Sequence, residues 1–174
     1  HGSDSLGSYK REHDFWFAGQ EPTERPMQTT AVLDNCTLCL IKPHIQREGK
    51  TGQVIDMILA AGFEISAMEL FNLSRPVVEE FYDVYKGVLP EYLPLIENLS
   101  NGPVIALEIR QQNAVASFRE LAAPTILKLQ DIYAQTPSGK SSPFFFNASS
   151  SICRAKFGQD RVRNALHCTD MPED

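Results

Sequence analysis

The sequence predicts an α+β domain over residues 36–174, with helices packed on an antiparallel or mixed sheet. Short apolar runs of strand length alternate with stretches whose apolar residues recur at helical spacing. Gly, Pro and Asn mark the boundaries between them. Within this region the order reads strand, helix, strand, helix pair, strand, helix, long connection, strand.

Cys36–Lys42 is a short apolar run ended by Pro43 and reads as a buried strand. Gly52–Ala61 places Val54, Met57, Ile58 and Ala61 at helical spacing, and Gly62 stops it. Phe63–Leu73 alternates, with Phe63, Ile65, Ala67 and Phe71 on one face of a strand. Ser74 caps a helix that has Pro76 in its first turn and Val78, Phe81, Tyr82 and Tyr85 facing inward. Glu91–Leu99 is a second short helix, broken by Asn101-Gly102-Pro103. Val104–Arg110 is a strand, and Asn113 caps a helix carrying Val115, Phe118 and Leu121. Val162–Cys168 is the last strand candidate. This order suits a ferredoxin-like sheet with its helices on one face.

Before Cys36 the pattern differs. Residues 1–17 predict a helix across roughly Leu6–Phe17, with Trp16 at least partly buried. Residues 18–35 hold two prolines and no periodicity, which marks a linker. Residues 126–150 are low in complexity apart from Phe144–Phe146, and they predict the most irregular part of the domain.

Composition sets outer limits. The chain is 43% hydrophobic and 22% charged, as in ordinary globular domains. Its net charge of −6 gives no general attraction to nucleic acid, and only Arg154–Arg163 is locally basic. No apolar run approaches the ~20 residues of a membrane helix. Cys36-x-x-Cys39 has the spacing of half a zinc site, but residues three apart on a strand face opposite ways. Core thiols in a reducing compartment are the better reading of the four cysteines.

Two motifs are decoys. Ala134–Ser141, AQTPSGKS, looks like a phosphate-binding loop, but no helix start follows it. Asn147-Ala148-Ser149 matches a glycosylation acceptor without a secretion signal. The informative group is Arg154, Asn164 and His167, with Lys42, Arg119 and Thr125 upstream. A neutral imidazole among cations and hydroxyls suits covalent phosphoryl transfer. On chemistry alone, however, a histidine near arginines is more often a hydrogen-bonded surface residue.

A resemblance changes that weighting. Lys42-Pro43-His44, Gly49-x-x-Gly52, Ala61-Gly62-Phe63-Glu64-Ile65, Glu80-Phe81-Tyr82, Ser100-Asn101-Gly102-Pro103, Phe118-Arg119-Glu120 and Arg163-Asn164-Ala165-Leu166-His167 resemble, in that order, the nucleoside diphosphate kinase family. AGFEISAMELFN and NALHCTDMPED look most like the second domain of the tandem-domain members found in cilia and centrosomes. The resemblance implies a ferredoxin-like βαββαβ fold with a four-stranded antiparallel sheet. It implies phosphate transfer from a nucleoside triphosphate such as ATP to a nucleoside diphosphate, with His167 phosphorylated in between. Lys42, Arg119, Thr125, Arg154 and Asn164 would hold phosphates and sugar, Tyr82 would line the histidine, and Tyr92 is the candidate to stack on the base. Mg²⁺ would arrive on the nucleotide. The alternative it implies is a weak or inactive kinase-derived module with a structural role in the ciliary doublet microtubule or centrosome. That role would be cytoplasmic and cytoskeletal, with tubulin or microtubule-associated partners and neither membrane nor nucleic acid.

Residues 1–17 resemble the segment that closes such a domain, with His1 and Glu12 as its histidine and orienting carboxylate. Residues 36–174 would then be a following domain with an enlarged 126–150 loop and no closing helix. Cys168, Thr169 and Ser149-Ser150-Ser151 depart from the family pattern.

Overall fold

A computed structural model describes residues 2–3, 5–17, 29–122 and 153–169, with the backbone alone for residues 12–17. Thr125, the 126–150 stretch, His1 and the side chains of Glu12 and Trp16 lie outside the described residues. The element order is α1 (Leu6–Phe17), β1 (Cys36–Ile41), α2 (Pro43–Arg47), α3 (Thr51–Ala60), β2 (Glu64–Asn72), α4 (Arg75–Phe81), a 3₁₀ turn (Asp83–Tyr85), α5 (Tyr92–Ser100), β3 (Pro103–Arg110), α6 (Ala114–Ala122), α7 (Cys153–Phe157) and β4 (Leu166–Cys168). The strands form a four-stranded antiparallel sheet in the order β2-β3-β1-β4. This is the ferredoxin-like arrangement, with α4 and α5 inserted between β2 and β3.

Helices cover both faces of the sheet, where the strand and helix order suggested one. The cause is that β1 and β3 are apolar on both sides. Cys39, Ile41, Leu107 and Ile109 enter a cluster with Ile45 of α2, Val54 and Ile58 of α3, Phe118 of α6 and Phe157 of α7. Phe63 and Phe118 meet edge-on there, with ring centroids 5.6 Å apart. On the other face Leu40 and Val104 join Val78, Tyr82, Ile96 and Leu99 beneath the α4–α5 hairpin.

Four local differences from the sequence reading matter. In β2 the register slips between Ile65 and Ala67, so Ile65 opposes Ile109 while Ala67 opposes Glu108. This bulge turns Ala67 and Phe71 to the face opposite Ile65, breaking the predicted shared face. Pro43 ends β1 and also starts α2, where its missing N–H costs nothing. The last strand begins at Leu166 and not at Val162, because the Asp160 carboxylate takes the Val162 and Arg163 N–H groups at 2.8 and 2.6 Å. Asn113 has φ +56, outside the extended backbone of a capping residue.

Residues 32 and 33 are tied to the sheet. The Glu108 carboxylate accepts the N–H groups of Val32 and Leu33 and the Ser66 hydroxyl. These bonds hold its carboxyl below the usual range against an opposing burial effect.

Candidate active site

His167 lies in β4, and strand alternation decides where it points. Leu166 and Cys168 enter the first cluster, while His167 opposes Leu40 in the register and takes the other face. There its ring meets Phe81 at 5.1 Å and 71°, and Tyr82 at 5.7 Å and 67°. Two rings set edge-on hold the imidazole plane. Phe81, expected to face inward, is 38% exposed because it turns to this contact at the end of α4.

Lys42 sits where β1 turns into α2. Its N–H donates to Ala165 O at 3.0 Å, and its Nζ donates to Val162 O at 2.9 Å. The side chain is 2% exposed. Burial first, and the neighbouring Arg154 second, push its amine down to about 7. Arg154, from α7, donates to Leu166 O at 3.3 Å and reaches the Cys168 Sγ at 3.6 Å. Gly158 lets the chain close on α7, since an added Cβ would lie 2.5 Å from Arg154 O.

The loop before β4 is built to place Asn164. Asp160 organises the turn through its bonds to Val162 and Arg163, and Asn164 Nδ2 donates to Arg161 O at 3.2 Å. Asn164 Oδ1 is buried without a hydrogen-bond partner. Ala165 then adopts φ +75, with the Leu166 N–H donating to Asn164 O at 3.0 Å. This is a γ-turn of the rare positive-φ kind, and such backbone costs of order 1–3 kcal/mol outside glycine. The strain lies two residues from His167.

Lys42, Tyr82, Arg154, Asn164 and His167 line one cleft of about 350 Å³. Glu91 and Arg161 line it too, and their side chains pair across it at 3.1 Å. Buried Lys42 and half-buried Arg154, beside an acceptor lacking a donor, suit an anion that also carries hydroxyls. A larger hollow of about 520 Å³ lies on the sheet, bordered by Glu69 and Glu108 and lacking basic residues, so it does not suit phosphate.

Two predicted site residues lie elsewhere. Tyr92 packs against the core cluster under the α4–α5 hairpin and is not part of the cleft lining. It lies at the start of α5, partly buried against the cluster that holds Ile96 and Leu99. Arg119 is exposed on α6 and also outside the lining. Glu91 and Arg161 were missed as site residues. Glu91 read only as a helix start, and Arg161 only as part of the basic stretch.

The comparisons give the class of this domain. The profile described as "Nucleoside diphosphate kinase" matches residues 35–174. The chain therefore belongs to the nucleoside diphosphate kinase family. It is 40% identical over 177 residues to nucleoside diphosphate kinase homolog 7 of Rattus norvegicus, covering 100% of this chain and 40% of that relative. It is 32% identical over 137 residues to a nucleoside diphosphate kinase of Aquifex aeolicus, covering 79% of this chain and 85% of the relative. A crystal structure of the Aquifex aeolicus enzyme superposes with a TM-score of 0.64 at 29% identity, covering 80% of this chain and 87% of the other. The expected likeness to the type-7 homologues is met, and it extends through residues 1–34, ahead of the family match.

Proposed function

We propose that the cleft moves the terminal phosphate of a nucleoside triphosphate to a nucleoside diphosphate through a phosphohistidine at His167. The observation that carries this is the convergence of Lys42, Tyr82, Arg154, Asn164 and His167 on one cleft, from segments over 120 residues apart in sequence. An imidazole nitrogen of His167 attacks the terminal phosphorus, the N–P bond forms, and the P–O bond to the diphosphate leaving group breaks. A second diphosphate then attacks the phosphohistidine through a terminal oxygen and restores the imidazole. Lys42 and Arg154 are placed to stabilise the charge spread over the transferred group. Asn164 Oδ1 is placed to accept from a sugar hydroxyl, and Phe81 and Tyr82 orient the ring. Mg²⁺ would arrive on the phosphates of the nucleotide. Such an ion would neutralise phosphate charge.

The test is transfer from ATP to a second diphosphate, measured beside ATP affinity. His167→Ala should abolish transfer and leave affinity nearly intact. Arg154→Ala should weaken both, by about 1.5–3 kcal/mol per lost charge-assisted bond. Wild-type transfer in His167→Ala ends this mechanism.

A second reading is compatible with the first. Val84, Val88 and Leu93 are exposed along the hairpin, which favours a domain that also packs in a larger assembly. In that reading a weakly active or inactive domain serves as a structural unit, with the ciliary doublet microtubule or centrosome as the setting. The end-to-end likeness to a relative of which this chain covers 40% favours a tandem arrangement, with residues 1–17 closing a preceding domain and 18–35 as linker.

A further inference from the structure

Cys39, Cys153 and Cys168 meet in the first core cluster, and all three are buried thiols. Cys39 feels the charge of either neighbour when that neighbour ionises. The three sulfurs do not converge into a metal site. Cys39 and Cys168 are direct partners in the register of β1 and β4. Directly opposed residues on antiparallel strands hold their Cβ atoms roughly 4.5–5.5 Å apart, and a disulfide needs about 3.5–4.5 Å. The gap is small, and β4 is a three-residue strand at the edge of the sheet. Cys168 also lines the cleft, whereas Cys39 and Cys153 do not. Cys168 is the first of the three thiols an oxidant reaches, since it keeps 4% exposure while Cys39 and Cys153 have none, and the Arg154 guanidinium donates to its sulfur at 3.6 Å.

We propose that Cys168 and Cys39 form a peroxide-driven disulfide that ties β4 to β1 behind the cleft and lifts the Cys168 sulfur off Arg154. The Cys168 thiolate attacks one oxygen of hydrogen peroxide. The O–O bond breaks, and the departing hydroxide takes a proton and leaves as water. The sulfenic acid so formed is attacked by the Cys39 sulfur, the S–S bond forms, and the sulfenic oxygen leaves as a second water with the Cys39 proton. Two thiols lose two electrons in all, and the peroxide gains them. Burial holds the Cys39 thiol well above its ordinary range, so Cys168 and not Cys39 takes the first step. The disulfide chemistry stands independently of the proposed phosphoryl transfer, and its effect on nucleotide binding rests on that reading.

The experiment treats the full chain with hydrogen peroxide, counts thiols after denaturation and maps cross-linked peptides without reductant. Two of the four thiols should disappear into a Cys39–Cys168 link that dithiothreitol reverses. Cys153→Ser should retain the link. Cys39→Ser, or Cys39→Ala if the first does not fold, should leave a Cys168 sulfenic acid that dimedone traps. ATP affinity should fall roughly tenfold on oxidation, about 1.4 kcal/mol, and recover with dithiothreitol. A link through Cys36 or Cys153, or four surviving thiols, overturns the disulfide. A link that leaves ATP affinity unchanged overturns its effect on Arg154.

Discussion

Replacing Lys42 by methionine should make the domain more stable and its cleft useless. Lys42 is a buried ammonium beside Arg154, and its amine is lowered from 10.5 to about 7, by burial before the neighbouring charge. The unfolded chain therefore binds more protons than the folded one between pH 7 and 10.5, and stability rises with pH across that window. At pH 7 the penalty is on the order of 4 kcal/mol, and it shrinks to about 1–2 kcal/mol at pH 9.5. Methionine fills a similar volume without a charge, at the loss of one hydrogen bond to Val162 O, about 1 kcal/mol. The net expectation at pH 7 is a gain of roughly 2–3 kcal/mol. Urea unfolding of both proteins at pH 7 and 9.5 measures it. Saturating ATP should narrow the difference, because a bound polyphosphate favours the charged lysine of the wild type alone. A Lys42→Met protein less stable at pH 7, or a difference that does not change with pH, would refute the reasoning.

Two further outcomes follow from groups beside the cleft. His44 is 4% exposed, both ring nitrogens lack hydrogen-bond partners, and burial before the charge of Lys42 lowers its pKa to about 4. Stability from this group is complete above pH 6.5 and lost as pH falls towards 4, so unfolding at pH 5 should be easier by roughly 1–2 kcal/mol than at pH 7, and His44→Leu should remove that part of the dependence. Ala165→Gly relieves a φ of +75 and should raise the urea midpoint, by about 1 kcal/mol of stability; a lowered midpoint would show that the turn is not strained.

The sequence made some of this plain and hid the rest. β1 and β3 were legible because their apolar runs are bounded by Pro43 and by Gly102-Pro103. The bulge in β2 was not, because Ile65 and Ala67 are both apolar and alternate as a regular strand would. The short β4 was hidden by Asp160, whose side chain competes for the N–H groups a longer strand would use. His167, Lys42, Arg154, Asn164 and Tyr82 were found through the order of the family's pieces, since no local pattern joins β1 to β4. The Glu91–Arg161 pair spans 70 positions and leaves no periodic trace. Tyr92 lies outside the cleft lining, a placement the sequence hid because an aromatic residue at a helix start reads the same whether it faces a ligand or a core.

The most direct test of the account is the phosphorylation state of His167 after brief incubation of the purified chain with labelled ATP and Mg²⁺. Phosphohistidine is lost in acid and survives in base, and peptide mapping locates it. The account predicts acid-labile label at His167 that a second nucleoside diphosphate removes as the triphosphate. A chain that binds ATP and carries no label at His167, or carries it at another residue, would contradict it.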